Sequence, residues 1–380
     1  MAANLRYCYI SEWLDPASGI LWKYQLFYYP ETKEVEMVDI KNRRHFLKRT
    51  KYEELKPSLL FLGSVVTVFS RQLKLTEYGD EFTRNKMESQ SERTLAMIKP
   101  DAYKNMGKII NAICQSGFLI SKMRIGKLSK EEAGEFYAVH AGKPFVDRLT
   151  DFMSSGRVVA MELVAPGAIR KWRELIGPTD SNQARAEAPG SLRAQFGTDK
   201  TFNACHGSDA PDTAAEECNF WFGPGRYPGK CDLAAGTTLC LVKPHLVADG
   251  AAGLVIDLIQ EAFEVTAGGL YNLDRNAAAE FLEVYKGVLP AGDFNSMVEQ
   301  LTSGACVALE VADRDGADAV EPFRQLAGPM DPELGRVLRP ASLRARFGLD
   351  AVRNGVHCTD LPEDGVLEVN YFFTILPTAS

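Results

Sequence analysis

Hydrophobic and polar positions follow two different rhythms along this 380-residue chain. Over the first 90 residues apolar and polar side chains alternate in short runs: RYCYISEWL, ILWKYQLFYY, EVEMVDI and SVVTVF. A period of two, carried by aromatic and β-branched residues, predicts strands. The Asp-Pro-Ala-Ser-Gly and Tyr-Pro-Glu-Thr segments between them are turn formers, so residues 1–90 read as a small antiparallel β module. From residue 92 the rhythm changes. TLAMI and VVAMELV are unbroken apolar runs, as in strands buried on both faces. MGKIINAICQSGF places Met106, Ile109, Ile110 and Ile113 at helical spacing. SKEEAGEFYAVH opens with Ser129 and has Glu132 three residues on, a capping box that predicts a helix start. KPFVDRLTDFMSSG predicts another helix, ending at Gly156. The order β-α-β-α-α-β-α predicts a ferredoxin-like α+β sheet with helices on one face.

This pattern occurs twice. TLAMIKPDA (94–102) returns as TLCLVKPHL (238–246), VVAMELV (158–164) as CVALEVA (306–312), SLRAQFG (191–197) as SLRARFG (342–348), and FNACHGSD (202–209) as RNGVHCTD (353–360). The offset between copies drifts from 144 to 151, which short loop insertions explain. Two homologous domains follow, 92–222 and 237–375, joined by the Gly- and Pro-rich linker 223–236. Residues 1–90 have no second copy.

Composition narrows the classes. At 46% hydrophobic and 24% charged the chain is that of an ordinary globular protein with a sizeable core. A formal charge of −7 argues against broad nucleic-acid affinity. No apolar stretch approaches the ~20 residues that span a bilayer, and the N-terminus lacks a secretory pattern, so the expectation is a cytoplasmic protein without a membrane partner. Eight scattered cysteines form no Cys-x-x-Cys and read as reduced core thiols. Charge is uneven: residues 1–90 hold fourteen Lys/Arg against twelve Asp/Glu, whereas the tandem is acidic. Six of the fourteen lie in KNRRHFLKRTK (41–51), which reads either as a solvated strand edge kept soluble by charge or as a contact for an acidic partner.

Two of the five histidines, His206 and His357, occupy equivalent places in Asn-x-x-His-x-[Ser/Thr]-Asp. Eleven residues later each copy has a glutamate, Glu217 and Glu368. A carboxylate on one imidazole nitrogen fixes the tautomer and makes the other a better nucleophile. Lys99, Arg173 and Arg193 accompany His206. Cations with an imidazole and no metal-ligand cluster suggest a polyphosphate substrate and phosphoryl transfer. GPGRYPGK (223–230) has the wrong spacing for a Walker A loop, with Cys231 where Ser or Thr would reach Mg²⁺. No zinc spacing and no Gly-x-Gly-x-x-Gly after a strand are present.

With these residues the repeats closely resemble nucleoside diphosphate kinases, whose Asn-x-x-His-Gly-Ser-Asp signature stands here as Asn203 to Asp209. The resemblance implies roles in the first repeat. Lys99 would contact phosphate and ribose, Tyr137 would lie near the transferred phosphate, and Phe145 would stack on the base. Arg173, Thr179 and Arg193 would hold phosphates, and Asn203 the ribose. His206 would carry the phosphoryl group, supported by Ser208 and Glu217. The implied reaction is ping-pong transfer from ATP to nucleoside diphosphates, with Mg²⁺ arriving on the nucleotide and no protein metal site. The second repeat keeps Lys243, Arg324, Arg344, Asn354, His357 and Glu368. It departs at Leu282 for Tyr137, Met330 for Thr179, Cys358-Thr359 for Gly207-Ser208, and His245 for the aspartate of Lys-Pro-Asp. A weak or inactive second site is expected.

The whole arrangement is similar to the tandem nucleoside diphosphate kinases of cilia and flagella, whose N-terminal module is of the PH-like DM-ten type. That resemblance implies association with axonemal doublet microtubules, tubulin and other axonemal proteins, with a γ-tubulin complex as a further partner. A purely structural role, with the kinase folds as binding blocks, stands as the alternative.

Overall fold

The computed structural model describes residues 5–226, 228–229 and 233–376. Cys231 and part of the expected linker lie outside the described residues. The N-terminal module contains six strands, β1 (Tyr7–Leu14), β2 (Leu21–Tyr29), β3 (Glu34–Asp39), β4 (Arg44–Lys51), β5 (Val65–Val68) and β6 (Arg71–Tyr78), followed by the helix α1 (Glu81–Met87). They form one antiparallel sheet in the order β4-β3-β2-β1-β6-β5. Sequence alternation locates β1, β2, β3 and β5. It misses β6 and gives β4 only as a possible strand edge, because charge obscures its period. The basic run is β4, an edge strand broken by register shifts, which suits a strand that must resist pairing with other chains. The core gathers Tyr9, Tyr24, Leu26, Tyr28, Leu73 and Leu75.

The first repeat runs β7 (Glu92–Ile98), α2 (Met106–Gln115), β8 (Leu119–Gly126), α3 (Lys130–Phe136), α4 (Val146–Ser154), β9 (Val158–Ala165), α5 (Ala168–Ile176), α6 (Ser181–Glu187), α7 (Leu192–Phe196), β10 (Cys205–Gly207) and α8 (Pro211–Phe222). The Ser129–Glu132 capping box forms as the sequence predicts. The second repeat has β11 (Thr238–Val242), α9 (Pro244–Ala248), α10 (Ala252–Ala262), β12 (Glu264–Tyr271), α11 (Arg275–Phe281), α12 (Ala291–Leu301), β13 (Cys306–Ala312), α13 (Val320–Ala327), α14 (Pro332–Leu338), α15 (Leu343–Phe347), β14 (Val356–Cys358) and α16 (Gly365–Asn370). The β-α-β-α-α-β-α expectation lacks one strand per repeat. The three-residue β10 and β14, too short to show a period, carry His206 and His357.

Each repeat's sheet has its fourth strand beside its first and its third between first and second, the order of a ferredoxin-like fold. The two sheets are continuous: β10-β7-β9-β8-β12-β13-β11-β14. At the junction Gly268 and Gly269 of β12 pair antiparallel with Ile125 and Arg124 of β8. Above it α2 crosses α10. A Cβ on Gly107 would meet the Asp257 backbone at 2.3 Å, and one on the equivalent Gly253 would meet Asn111 at 2.3 Å. Glycine at both places lets the backbones touch and buries the apolar faces of both helices in one core with Ile109, Ile113, Val255 and Ile259.

Packing divides the chain into two compact units, residues 1–92 with 272–304, and residues 93–271 with 305–380. In the first unit the β5–β6 hairpin holds both roots of the α11–α12 segment. Thr67 donates to the Thr302 carbonyl at 2.9 Å, and Gln72 donates to the carbonyls of Leu273 and Thr302 at 2.6 and 3.2 Å.

Candidate active site

His206 sits on β10, which pairs with β7 so that His206 lies opposite Met97. Two loops fix this short strand. Ala204 adopts a left-handed φ of 63°, unusual for a residue with a Cβ. Its amide donates to Asp101 at 3.0 Å, and its carbonyl accepts from the Lys99 amide at 2.8 Å. The Lys-Pro-Asp turn therefore holds the strand's entry in a conformation the sequence alone does not favour. Behind the strand, Trp172 of α5 donates its indole N–H to the His206 carbonyl at 3.1 Å.

The imidazole is wired on one side. His206 Nε2 lies 2.9 Å from Glu217 Oε1 on α8. The other carboxylate oxygen accepts from Ser208 Oγ at 2.6 Å, and Ser208 Oγ accepts from the Leu95 amide at 3.1 Å. Since a carboxylate accepts, Nε2 carries the proton and Nδ1 is left with its lone pair. The rings of Phe136 and Tyr137 stand edge-on to the imidazole, with centroids at 5.4 and 6.1 Å. The Tyr137 hydroxyl is buried without a hydrogen-bond partner among the described residues, and burial raises its pKa. An acceptor such as a phosphate oxygen would satisfy it.

Cations surround this wall. Lys99 is buried and donates to Asn203 Oδ1 at 2.8 Å, while Asn203 Nδ2 donates to the Thr179 and Lys200 carbonyls. Burial, aided by repulsion from Arg193, lowers the Lys99 pKa to about 8. Arg193, buried on α7, donates to the Cys205 and Gly177 carbonyls and so braces β10. Arg173 and Thr179 are exposed, and Thr179 contributes only its carbonyl to this network. Phe145 is half-exposed and reaches the rest through His140, which stacks on Tyr137 and meets Phe145 edge-on at 5.7 Å. Asp101, Phe136, His140 and Trp172 are positioning residues that the motif reading gave no role. For Trp172 a signal was available, because Trp172 and Gly207 change together to Phe323 and Cys358 in the second repeat.

The second repeat keeps the relay more fully than its sequence suggests. His357 Nε2 lies 2.9 Å from Glu368, which also accepts from Thr359 Oγ1 at 2.9 Å, and Thr359 accepts from the Leu239 amide. Thr359 thus reproduces Ser208, and the departure there is conservative. Change is concentrated around it. Lys243 donates to the Val352 carbonyl, and Asn354 Oδ1 is buried without a partner among the described residues. Arg324 turns onto the backbone carbonyl of Asp360. Arg344 braces Val356 and Gly328 as Arg193 braces its own strand, and Gly355, at φ 89°, relieves the strain that Ala204 carries. Burial and repulsion from Arg344 lower the Lys243 pKa to about 7, and burial with repulsion from Lys243 lowers that of His245 to about 4.

Among the described residues no group of three or more His, Cys, Asp or Glu could hold a metal ion. A wired imidazole, neighbouring cations and an unpartnered tyrosine hydroxyl together have the chemistry that a phosphate-bearing ligand requires. The family profile described as nucleoside diphosphate kinase matches residues 92–227 and again 236–376, and the chain belongs to that family. Residues 1–89 match the profile of the nucleoside diphosphate kinase 7 N-terminal PH domain. Over its whole length the chain is similar to nucleoside diphosphate kinase homolog 7: 49% identical to the Rattus norvegicus protein over 374 residues, 98% of this chain and 93% of the relative, and 47% identical to that of Mus musculus over the same shares. A crystal structure of the Aquifex aeolicus nucleoside diphosphate kinase is 50% identical, covering 35% of this chain and 96% of that one, with a TM-score of 0.35.

Proposed function

We propose that the first repeat is an active nucleoside diphosphate kinase with His206 as its nucleophile. The observation that carries this is the His206–Glu217–Ser208 relay, which fixes a proton on Nε2 and leaves the Nδ1 lone pair beside Tyr137. Mg²⁺ belongs to the substrate, as the Mg–nucleotide complex. His206 Nδ1 attacks the γ-phosphorus of a nucleoside triphosphate. An N–P bond forms, the bond to the β–γ bridging oxygen breaks, and the diphosphate leaves with that electron pair. A terminal phosphate oxygen of a second nucleoside diphosphate then attacks the phosphohistidine, and Nδ1 departs. Glu217 disperses the charge that develops on the imidazole. Lys99, Arg173 and Arg193 neutralise the phosphates, and the Tyr137 hydroxyl donates to the moving group. Phe145, exposed at the rim, offers a face for the base without hydrogen-bond readout, so base selectivity is low. The second repeat, with Met330, Leu282 and a self-satisfied Arg324, is weak or inactive.

The cellular setting proposed is the axonemal doublet microtubule of cilia and flagella, reached through the PH-like module, with tubulin and other axonemal proteins as partners. Support comes from the full-length similarity and from the basic edge strand β4. The decisive experiment incubates full-length protein with γ-labelled ATP. Acid-labile, base-stable label that is abolished in His206→Ala and chased by any of several nucleoside diphosphates is expected. Full labelling that moves to His357 in that variant would overturn the assignment.

A further inference from the structure

The two repeats serve as an internal control for each other, because they share one fold and one set of equivalent positions. Among the described residues of the first repeat, the large apolar side chains left exposed are Val139 and Phe145, both in the segment between α3 and α4. The second repeat exposes many more, and five of them are neighbours. Met330 is 41% exposed, Leu334 49%, Val337 79%, Leu338 63% and Leu349 55%. At the equivalent positions the first repeat has Thr179, Gln183, Ala186, Glu187 and Thr198.

The exchanges share one place. Asp331 caps α14, so Met330 sits immediately before the helix. Leu334, Val337 and Leu338 fall at i, i+3 and i+4, one face of a helix. The opposite side of α14 carries Gly335, which fits against Ala345 of α15. Leu349 is brought alongside because Arg336 donates to the carbonyl of the preceding Gly348. Single exposed apolar residues need no explanation, but a set that replaces four polar residues and an alanine at matched positions does. Folding does not supply one, since the first repeat folds the same way with four polar residues and an alanine there.

Charge changes together with polarity. Residues 331–353 hold five arginines against three carboxylates, whereas the equivalent 180–202 hold three basic and three acidic residues. The gains are Arg339 for Ala188, Arg346 for Gln195 and Arg353 for Phe202, and Glu187 is lost to Leu338. Arg344 is buried against backbone carbonyls and Arg353 pairs with Asp350, so the exposed arginines accompanying the apolar strip are Arg336, Arg339 and Arg346, on a tandem that is otherwise acidic. Such a strip complements an amphipathic helix whose apolar face carries leucines and whose flanks carry carboxylates. Burial supplies affinity, and the arginine rim supplies orientation and association rate. The acidic charge of the tandem disfavours both a second copy of this chain and a broad anionic membrane, which would face the whole acidic surface, whereas a single helix meets only the strip and its arginines.

We infer that the face formed by α14 and Leu349 of the second repeat is a docking surface for an acidic amphipathic helix of a partner protein. It begins at Met330, whose carbonyl holds Asn354, so the rim of the second pocket has become part of a protein-binding face. This goes beyond the proposed kinase activity, which resides in the other repeat, and either can fail alone.

The test restores the first repeat's residues in the full chain: Leu334→Gln, Val337→Ala and Leu338→Glu together. The probe is a labelled designed helix of about eighteen residues, leucine on one face and glutamate elsewhere, read by anisotropy. Controls are its lysine counterpart and vesicles of phosphatidylcholine and phosphatidylserine. The expected result is saturable binding of the acidic helix that the triple variant weakens at least about tenfold, with hydrogen-exchange protection over residues 331–349. Melting temperature and phosphorylation of His206 should not change. Equal binding by the triple variant, no binding of the acidic helix, or preference for the lysine helix or the vesicles would overturn the inference. So would concentration-dependent dimerisation abolished by the triple variant, which would make a second copy the occupant.

Discussion

Gly207 lies directly against the indole of Trp172: a Cβ at residue 207 would come within 2.5 Å of both Cδ1 and Nε1 of that ring. The second repeat places a side chain at the equivalent Cys358 and a smaller ring at Phe323, and there an Arg344 guanidinium reaches the thiol at 3.6 Å. The two positions are therefore one packing decision made in two ways. Trp172 also holds the His206 carbonyl, so this decision sets where the imidazole sits.

Gly207→Cys in the first repeat should overpack this contact. Overpacking typically costs ~1–3 kcal/mol, and phosphorylation of His206 should fall by more than about tenfold as β10 shifts. Adding Trp172→Phe should recover much of both losses, since it recreates the second repeat's solution. A double-mutant cycle on melting temperature and single-turnover phosphorylation measures this. Additive losses would show that the two positions are not coupled.

The relay behind His206 predicts a graded series. Glu217→Gln keeps an acceptor for Nε2 but removes the charge, and hydrogen bonds to charged groups are worth ~1.5–3 kcal/mol, so phosphorylation should slow by about 10–100-fold. Ser208→Ala removes the hydroxyl that orients Glu217 and leaves the buried Leu95 amide without its acceptor. Both stability and rate should fall. Ser208→Thr should retain most activity, because Thr359 makes the same two bonds in the second repeat. A Ser208→Thr variant as impaired as Ser208→Ala would contradict this equivalence.

Most of the fold was legible because its signals are local. Strands such as β9, buried along its whole length, announce themselves as apolar runs, and α3 announces itself by its cap. The candidate site was legible for a different reason: its lysine, two arginines, asparagine, histidine and glutamate recur in the same order in both copies. What escaped depends on contacts distant in sequence. β10 and β14 have three residues each and exist because β7 and β11 pair with them. β4 is a strand because β3 holds it, although half of its side chains are charged. The tie from Gln72 to Leu273 and Thr302 joins residues about two hundred apart, which no pattern reports. In sequence Thr359 is a departure from Ser208, but in the structure its hydroxyl makes the same two bonds, so the second site resembles the first more than the letters suggest.

Lys99 and Lys243 predict different pH dependences for the two pockets. Burial lowers their pKa values to about 8 and about 7, so each ammonium is present below its value and lost above it. Phosphate binding requires the ammonium and raises its pKa, so binding takes up a proton once the pH exceeds the free value. Affinity should then fall by up to about tenfold per pH unit, starting near pH 8 in the first repeat and near pH 7 in the second. Titrations of ADP between pH 6.5 and 9, with Lys243→Met reporting the first pocket and Lys99→Met the second, would show the offset. Superimposable profiles would rule it out.

The basic strand predicts which charges serve docking. Arg49 stacks on Tyr29 at 3.8 Å and pairs with Glu34, and His45 pairs with Glu36, so neither is available to a partner. Lys41, Arg43, Arg44 and Lys48 are exposed around the same edge. If the module docks on an acidic microtubule surface, replacing these four with glutamine should weaken co-sedimentation and flatten its salt dependence, with melting temperature unchanged. Arg49→Ala should do the reverse, lowering the melting temperature with little change in salt sensitivity. Charge replacement is a cleaner test than deleting residues 1–90, because deletion also removes Thr67 and Gln72 from the roots of the α11–α12 segment. Unchanged co-sedimentation at every salt concentration in the four-glutamine variant would make the run bystander surface and move docking to another face of the module.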